Sequence, residues 1–278
     1  MEYQQTIAGE VSLHGIGVHS GIETNLVLKP AAADHGIIFR RVDLPDRPAV
    51  RATAEAVIGT TRGTTLGLEG GEVRTIEHLM AVLSGLKIDN LEIEIDGPEV
   101  PMMDGCALPF IEILRTTGIR ELSKVREIIS ISRPVYIIEP GIFLAAFPAD
   151  ELRISCTIAF DHPMLQSQYL SLPINPDTFE NEISPARTFG FYREALPLLE
   201  KGLIKGTSLE NTVVIGEDNI FSRGGLRFPD ECVRHKILDL LGDLSLLGKP
   251  VKAMIVAIKP GHNINIRFVR KILEDINE

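Results

Sequence analysis

No segment restricts the fold of this chain as tightly as Asp230–Asp243, which reads Asp-Glu-Cys-Val-Arg-His-Lys-Ile-Leu-Asp-Leu-Leu-Gly-Asp. Wound as a helix, it places Val233, Ile237, Leu240, Leu241 and Leu244 on one apolar face. His235, Asp239 and Asp243 then follow one another at i, i+4 steps on the other side. A His and an Asp one turn apart can both reach one metal ion. A solvated polar face is the competing reading, but Leu246 shares this stripe, which a freely exposed face would disfavour. Cys232 precedes His235 by three residues on the same side, so Cys-x-x-His is a rival zinc pair. With no second cysteine pair nearby, Cys232 reads as packing.

The rest of the chain suits two α+β halves. Its 278 residues exceed one ordinary core and allow two domains, with one large domain also possible. In the first half, Glu10–Ser20 reads as a strand broken by turns, and Thr24–Leu28, Gly36–Arg40 and Leu91–Ile95 read as strands. Thr75–Leu86 reads as a helix capped by Thr75, and Pro109–Thr117 as a second, ended by Gly118. The polar stretch Glu121–Arg126 reads as a boundary. Beyond it come strands at Glu127–Ser132, Val135–Glu139, Phe143–Ala146 and Arg153–Ala159. A short helix or turn follows at Phe179–Ile183, then a helix at Glu194–Lys201. Pro229–Leu247 reads as the longest helix, followed by a strand at Val251–Ile258 and a last helix near Ile266–Ile276. The pattern predicts an α+β fold of two similar domains, residues 1–124 and 125–278. Each is a sheet layer packed with two main helices, with the active site between them. Internal sequence similarity is too weak to assert a duplication.

Composition excludes some functions. The formal net charge is −10, whereas a nucleic-acid binder needs a basic surface. The three cysteines, Cys106, Cys156 and Cys232, form no regular framework and suit a reducing cytoplasm. The first residues show no basic region leading into an apolar run, so no signal peptide is expected. No stretch approaches the roughly 20 apolar residues that span a bilayer.

Three further segments carry chemistry. Arg74-Thr-Ile-Glu77-His78-Leu-Met sets Glu beside His near a helix start. His78 could be a third ligand and Glu77 could contact a water on the metal, against the plainer reading of an exposed acid and a packed imidazole. Lys259-Pro-Gly-His262-Asn follows a strand and puts His262 in a loop at a strand end, where active-site residues collect, though a lone loop His is often just surface. Ser184-Pro-Ala-Arg187-Thr188-Phe189-Gly190-Phe191 has a buried-looking Thr, or is only a turn.

Taken together these motifs are specific. Thr75-Ile-Glu-His-Leu-Met, Asp89-Asn-Leu-Glu-Ile-Glu-Ile-Asp, Glu99-Val-Pro-Met-Met-Asp-Gly, Ala186-Arg-Thr-Phe-Gly-Phe, Leu226–Asp239 and Gly261-His262 occur in this order. Over nearly the whole chain they resemble the bacterial UDP-3-O-acyl-N-acetylglucosamine deacetylases, which commit precursors to lipid A. The resemblance implies a metal-dependent amidohydrolase that releases acetate from that acylated UDP-sugar. It implies His78, His235 and Asp239 as ligands of Zn2+, with Fe2+ also chemically reasonable. It implies Glu77 and His262 as an acid–base pair, Asp243 as the partner of His262, and Thr188 as an oxyanion donor. Lys236, Phe189 and Lys259 match positions lining the substrate site, as do Phe160 and His19. An insert near residues 190–215, containing Phe191, Leu196, Leu198, Leu199, Leu203, Ile204 and Val213, would form an acyl-chain passage; a local core is the alternative. Thr60-Thr-Arg-Gly-Thr-Thr-Leu departs from relatives that carry a cysteine near Gly63, so no inhibitory thiol is expected. The expected enzyme is cytoplasmic and monomeric, without stable membrane insertion and without a fused dehydratase domain. Two rivals stand beside it: a non-catalytic sugar-nucleotide binder with a structural metal, and a metal deacetylase for another amide.

Overall fold

A computed structural model describes residues 2–277. Met1 and Glu278, the outer limits of the two expected segments, lie outside the described residues. Six α-helices are described: α1 (Glu77–Gly85), α2 (Leu108–Thr117), the single turn α3 (Pro176–Thr178), α4 (Tyr192–Glu200), α5 (Glu231–Leu244) and α6 (His262–Asn277).

The fold is α+β and built twice on one plan. The first five-stranded sheet runs Val11–Ile16, Glu23–Pro30, Leu91–Ile95, Ile37–Arg41, Ala49–Arg51. The second runs Val135–Glu139, Ile142–Phe147, Met254–Ile258, Arg153–Ala159, Ser167–Pro173. In both, the last strand in the chain enters between two hairpins, antiparallel to one and parallel to the other. In both, one long helix precedes that central strand and another follows it. The central strands alternate in burial, as in Leu91–Ile95, because one face meets helices and the other does not. The likeness of the halves, too weak to assert from internal sequence similarity, is plain in strand order.

Helices α1 and α5 pack against each other. Their approach is close: a Cβ on Gly242 would lie 2.1 Å from the Glu77 carbonyl oxygen. Only glycine permits this crossing. As a result α5 is covered on both sides, and His235, Asp239 and Asp243 are as buried as the apolar stripe. Helix α6 packs on α5 and beside the strand Val135–Glu139.

Several elements differ from their sequence reading. Thr75 is no cap: α1 starts at Glu77 without a side-chain cap. Thr75 sits at φ +58, and its hydroxyl donates to Glu99 Oε1 at 2.8 Å. The stretch read as a polar boundary is largely a strand, Ile119–Val125, paired antiparallel with Tyr3–Ile7. The strand Val251–Ile258 is interrupted at Ala253. The helix read as Pro229–Leu247 ends at Leu244 and continues as a 3-10 turn, Ser245–Leu247. Among the described residues the longest helix is α6, with 16 residues against 14 in α5. It begins at His262, so that residue opens a helix instead of sitting in a loop.

Candidate metal centre and active site

The crossing of α1 and α5 builds the site. Neighbouring residues Glu77 and His78 open α1 in the first half; His235, Asp239 and Asp243 come from α5 in the second. The ligand atoms of His78, His235 and Asp239 all lie within 4.8 Å of one another. His235 Nε2 stands 3.4 Å from Asp239 Oδ1, and His78 Nε2 stands 3.6 Å from the same oxygen. Neither separation is a good hydrogen bond. Both are short enough for the donor atoms to share one cation.

The surroundings tune these donors. His235 Nδ1 donates to the Ala186 carbonyl at 3.1 Å, which leaves Nε2 without its proton and able to bind a cation. Burial pushes the His235 imidazolium down to about 3, so the ring is neutral. His78 is buried and its Nδ1 has no hydrogen-bond partner among the described residues. Burial alone would raise Asp239, but Lys236, His235 and His78 outweigh it and hold the carboxyl well below its usual range. Lys236 Nζ donates to Asp239 Oδ2 at 2.5 Å and lies 5.6 Å from the Phe189 ring centre. Two buried imidazoles and one buried carboxylate, their ligand atoms close together, fit a divalent cation.

Two groups stand beside the triad without belonging to it. Glu77 is buried, which raises its carboxyl above the ordinary value despite the nearby His262 and His78. His262 Nδ1 donates to Asp243 Oδ2 at 2.9 Å. Its Nε2 lies 3.9 Å from both Glu77 Oε1 and Asp239 Oδ2. Burial disfavours the imidazolium, but Asp243 and Glu77 outweigh that and lift it to about 9.

A cavity of about 460 Å³ opens over these groups. Glu77, His78, His235, Asp239, His262, Thr188, Phe189, Phe191, Lys236, Lys259 and His19 all line it. Asp243 is wholly buried behind His262. Phe160 is not among the lining residues; its ring packs on Phe189 and Phe191, with centroids 5.8 and 5.2 Å away. From the expected passage, Phe191, Leu198 and Ile204 line the cavity, whereas Leu196 and Leu199 are exposed and Val213 is buried in the short strand Val213–Ile215. Cys232 is buried and is not one of the triad, its thiol pushed up to about 12 by desolvation.

Sequence reasoning missed Thr64, Arg62 and Glu99. Thr64 is fully buried between Glu77 and Asp243. Arg62 lines the cavity and pairs with Glu194 of α4. Glu99 accepts from the His19 and Ser20 backbone N–H groups at 3.0 and 2.7 Å. Threonines in loops are common, so composition gives no signal for the first. Among the described residues no helix is long and apolar enough to cross a membrane.

The family described as UDP-3-O-acyl N-acetylglycosamine deacetylase matches residues 4–274. The UDP-3-O-acyl-N-acetylglucosamine deacetylase of Myxococcus xanthus (strain DK1622) is 47% identical over 272 residues, 98% of this chain and 87% of that protein. The protein of the same name from Syntrophotalea carbinolica is 46% identical, covering 98% of this chain and 88% of its own length. That from Chlamydia pneumoniae is 46% identical, with 98% and 97% covered.

Proposed function

This chain belongs to the UDP-3-O-acyl-N-acetylglucosamine deacetylase family, and from that membership we propose that it hydrolyses the acetamide of a UDP-3-O-acyl-N-acetylglucosamine. Acetate leaves, and the free amine commits the sugar to lipid A. The observation that carries this reading is one cavity holding a triad of metal donors together with a carboxylate and an imidazolium that are not needed as ligands.

We assign His78, His235 and Asp239 as the ligands of zinc, with iron(II) as the chemical alternative. Such an ion supplies Lewis acidity, lowering the pKa of water towards about 7 and polarising a carbonyl. Glu77 is the base. Its Oε2 is held by the Thr64 N–H at 2.9 Å, so Oε1 is the oxygen left to take a proton from attacking water. The Thr188 hydroxyl donates to the developing oxyanion. His262, held as an imidazolium by Asp243, either protonates the departing amine or stabilises negative charge. Lys236 and Lys259 offer cations to the diphosphate, His19 and Phe189 line the substrate site, and the Phe160 ring packs on Phe189. Phe191, Leu198 and Ile204 receive the acyl chain. We take residues 1–124 and 125–278 as two domains, with the insert near 190–215 in the second, and the enzyme as a cytoplasmic monomer.

The test is release of acetate from the acylated UDP-sugar by the purified protein. Activity should disappear with a chelator and return with zinc. Glu77→Ala should lower kcat by at least about 100-fold with metal content unchanged. Binding of the UDP-sugar without any acetate release would favour a non-catalytic binder; preference for a polymeric amide would favour another deacetylase.

A further inference from the structure

Thr64 touches both halves of the acid–base apparatus. It lies in the loop between the strands Val57–Gly59 and Thr65–Leu68 and is fully buried. Its backbone N–H donates to Glu77 Oε2 at 2.9 Å. Its hydroxyl donates to Asp243 Oδ1 at 2.6 Å. Its carbonyl accepts from the Ile76 N–H at 3.3 Å, which ties it to the turn entering α1. All its polar groups are therefore used, each on a segment that carries the site.

The Asp243 carboxylate shows why the hydroxyl matters. Oδ2 accepts from His262 Nδ1 and from Asn265 Nδ2, both at 2.9 Å. Oδ1 accepts from Thr64. Asp243 and His262 lie on different helices, so nothing within either element fixes the angle of the carboxylate. The third hydrogen bond, reaching in from the first half, pins its plane and so aims His262 Nε2. That nitrogen lies 3.9 Å from Glu77 Oε1, whose partner oxygen is held by the same threonine.

We propose that Thr64 is a positioning residue that sets base and acid in register across the two halves: its N–H orients Glu77, and its hydroxyl orients His262, chiefly through Asp243 and also by its own contact with His262 Nδ1 at 3.3 Å. This rests on the deacetylase reading above. Thr64 is neither one of the ligand triad nor among the residues lining the cavity, so its loss should act on turnover and not on metal or substrate binding.

Thr64→Val keeps the shape and the N–H and removes only the hydroxyl. It is expected to lower kcat by about 10- to 100-fold, with KM and metal content near those of the wild type. Thr64→Ser should recover most of the loss. In an Asp243→Ala background the same Thr64→Val change should cost far less, since the main group it acts through is gone and only the direct 3.3 Å contact with His262 remains. A loss of kcat below about threefold overturns the proposal. So does a Thr64→Ser variant as slow as Thr64→Val, or a full penalty persisting without Asp243; either would mark a packing role. Should Thr64→Val fail to fold, Thr64→Ala replaces it in the same cycle. A wild-type protein that releases no acetate sinks the deacetylase reading, and this inference with it; an active wild type beside an active Thr64→Val sinks this inference alone.

Discussion

The imidazole of His78 stands edge to face with that of His235, their centroids 4.9 Å apart, although the residues come from helices of opposite halves. Two buried rings and the Asp239 carboxylate face one point without bonding one another well. An ion that binds the folded triad and not the unfolded chain stabilises the fold. Zinc at 100 times its Kd is expected to add about 2.7 kcal/mol. Calorimetry with chelator and with added zinc should show the corresponding rise in Tm. His78→Ala and His235→Ala should show neither the rise nor stoichiometric metal on elemental analysis. A mutant that keeps both would remove that residue from the ligand set.

Protonation of His262 is expected to set the alkaline limit of turnover. Its folded pKa of about 9 lies above the ordinary 6.5, because Asp243 and Glu77 together outweigh burial. A raised value means that the imidazolium stabilises the fold fully below pH 6.5 and that this contribution fades as pH climbs through about 9. Turnover that needs the imidazolium should fall over the same rise. Removing Asp243 takes away the largest influence favouring the proton, so Asp243→Ala should move the alkaline limb of the rate profile to lower pH. A limb that stays in place would assign it to another group.

Parts of this site could be read from residues alone, for stated reasons. The 235, 239 and 243 spacing is a local property of a helix, and it survives in the structure. Burial of that stripe is not local: it comes from α1 crossing at Gly242. The strand Ile119–Val125 is mostly exposed, so it carries no apolar alternation and resembles a linker. His262 looked like a loop residue because Pro260 and Gly261 precede it, yet the Asn265 N–H bonds the Gly261 carbonyl and the turn continues into α6. Thr75 looked like a cap, but its hydroxyl is engaged by Glu99, which comes from 24 residues further along the chain. Thr64 could not be seen at all, since its partners are 13 and 179 residues distant.

Arg187, next to Thr188, is buried against Glu231. Its Nε and backbone N–H donate to Glu231 Oε1 at 2.8 and 3.0 Å. Its remaining donors hold the carbonyls of Arg223 and Gly225 at 3.1 and 2.6 Å. Burial opposes the charge on Glu231, but Arg187 and the backbone donors of Arg187 and Arg227 keep its carboxyl below the ordinary value. Removing one partner leaves the other charge buried alone. Arg187→Ala is therefore expected to cost about 3–5 kcal/mol of stability, measured by urea denaturation. Arg187→Lys should also be costly, because one ammonium cannot replace a guanidinium that reaches the carboxylate and two carbonyls. A stable Arg187→Ala would mean that water replaces the pair.

The acyl chain should report through KM. Phe191, Leu198 and Ile204 line the cavity, and each methylene buried there is worth about 0.8 kcal/mol, close to fourfold in affinity. The proposed reaction is at the acetamide and not at the acyl chain, so most of that energy is expected to bind ground state and transition state alike. A substrate lacking the chain should then show a strongly raised KM with a smaller change in kcat. Leu198→Asp should raise KM for the acylated sugar and leave the deacylated one nearly unaffected, because the new charge opposes only the apolar tail. The pairing of substrate and variant separates a passage from a mere local core, in which Leu198→Asp would weaken the fold and depress both substrates equally. Equal kcat/KM for acylated and deacylated sugars in the wild type would place the chain elsewhere on the protein.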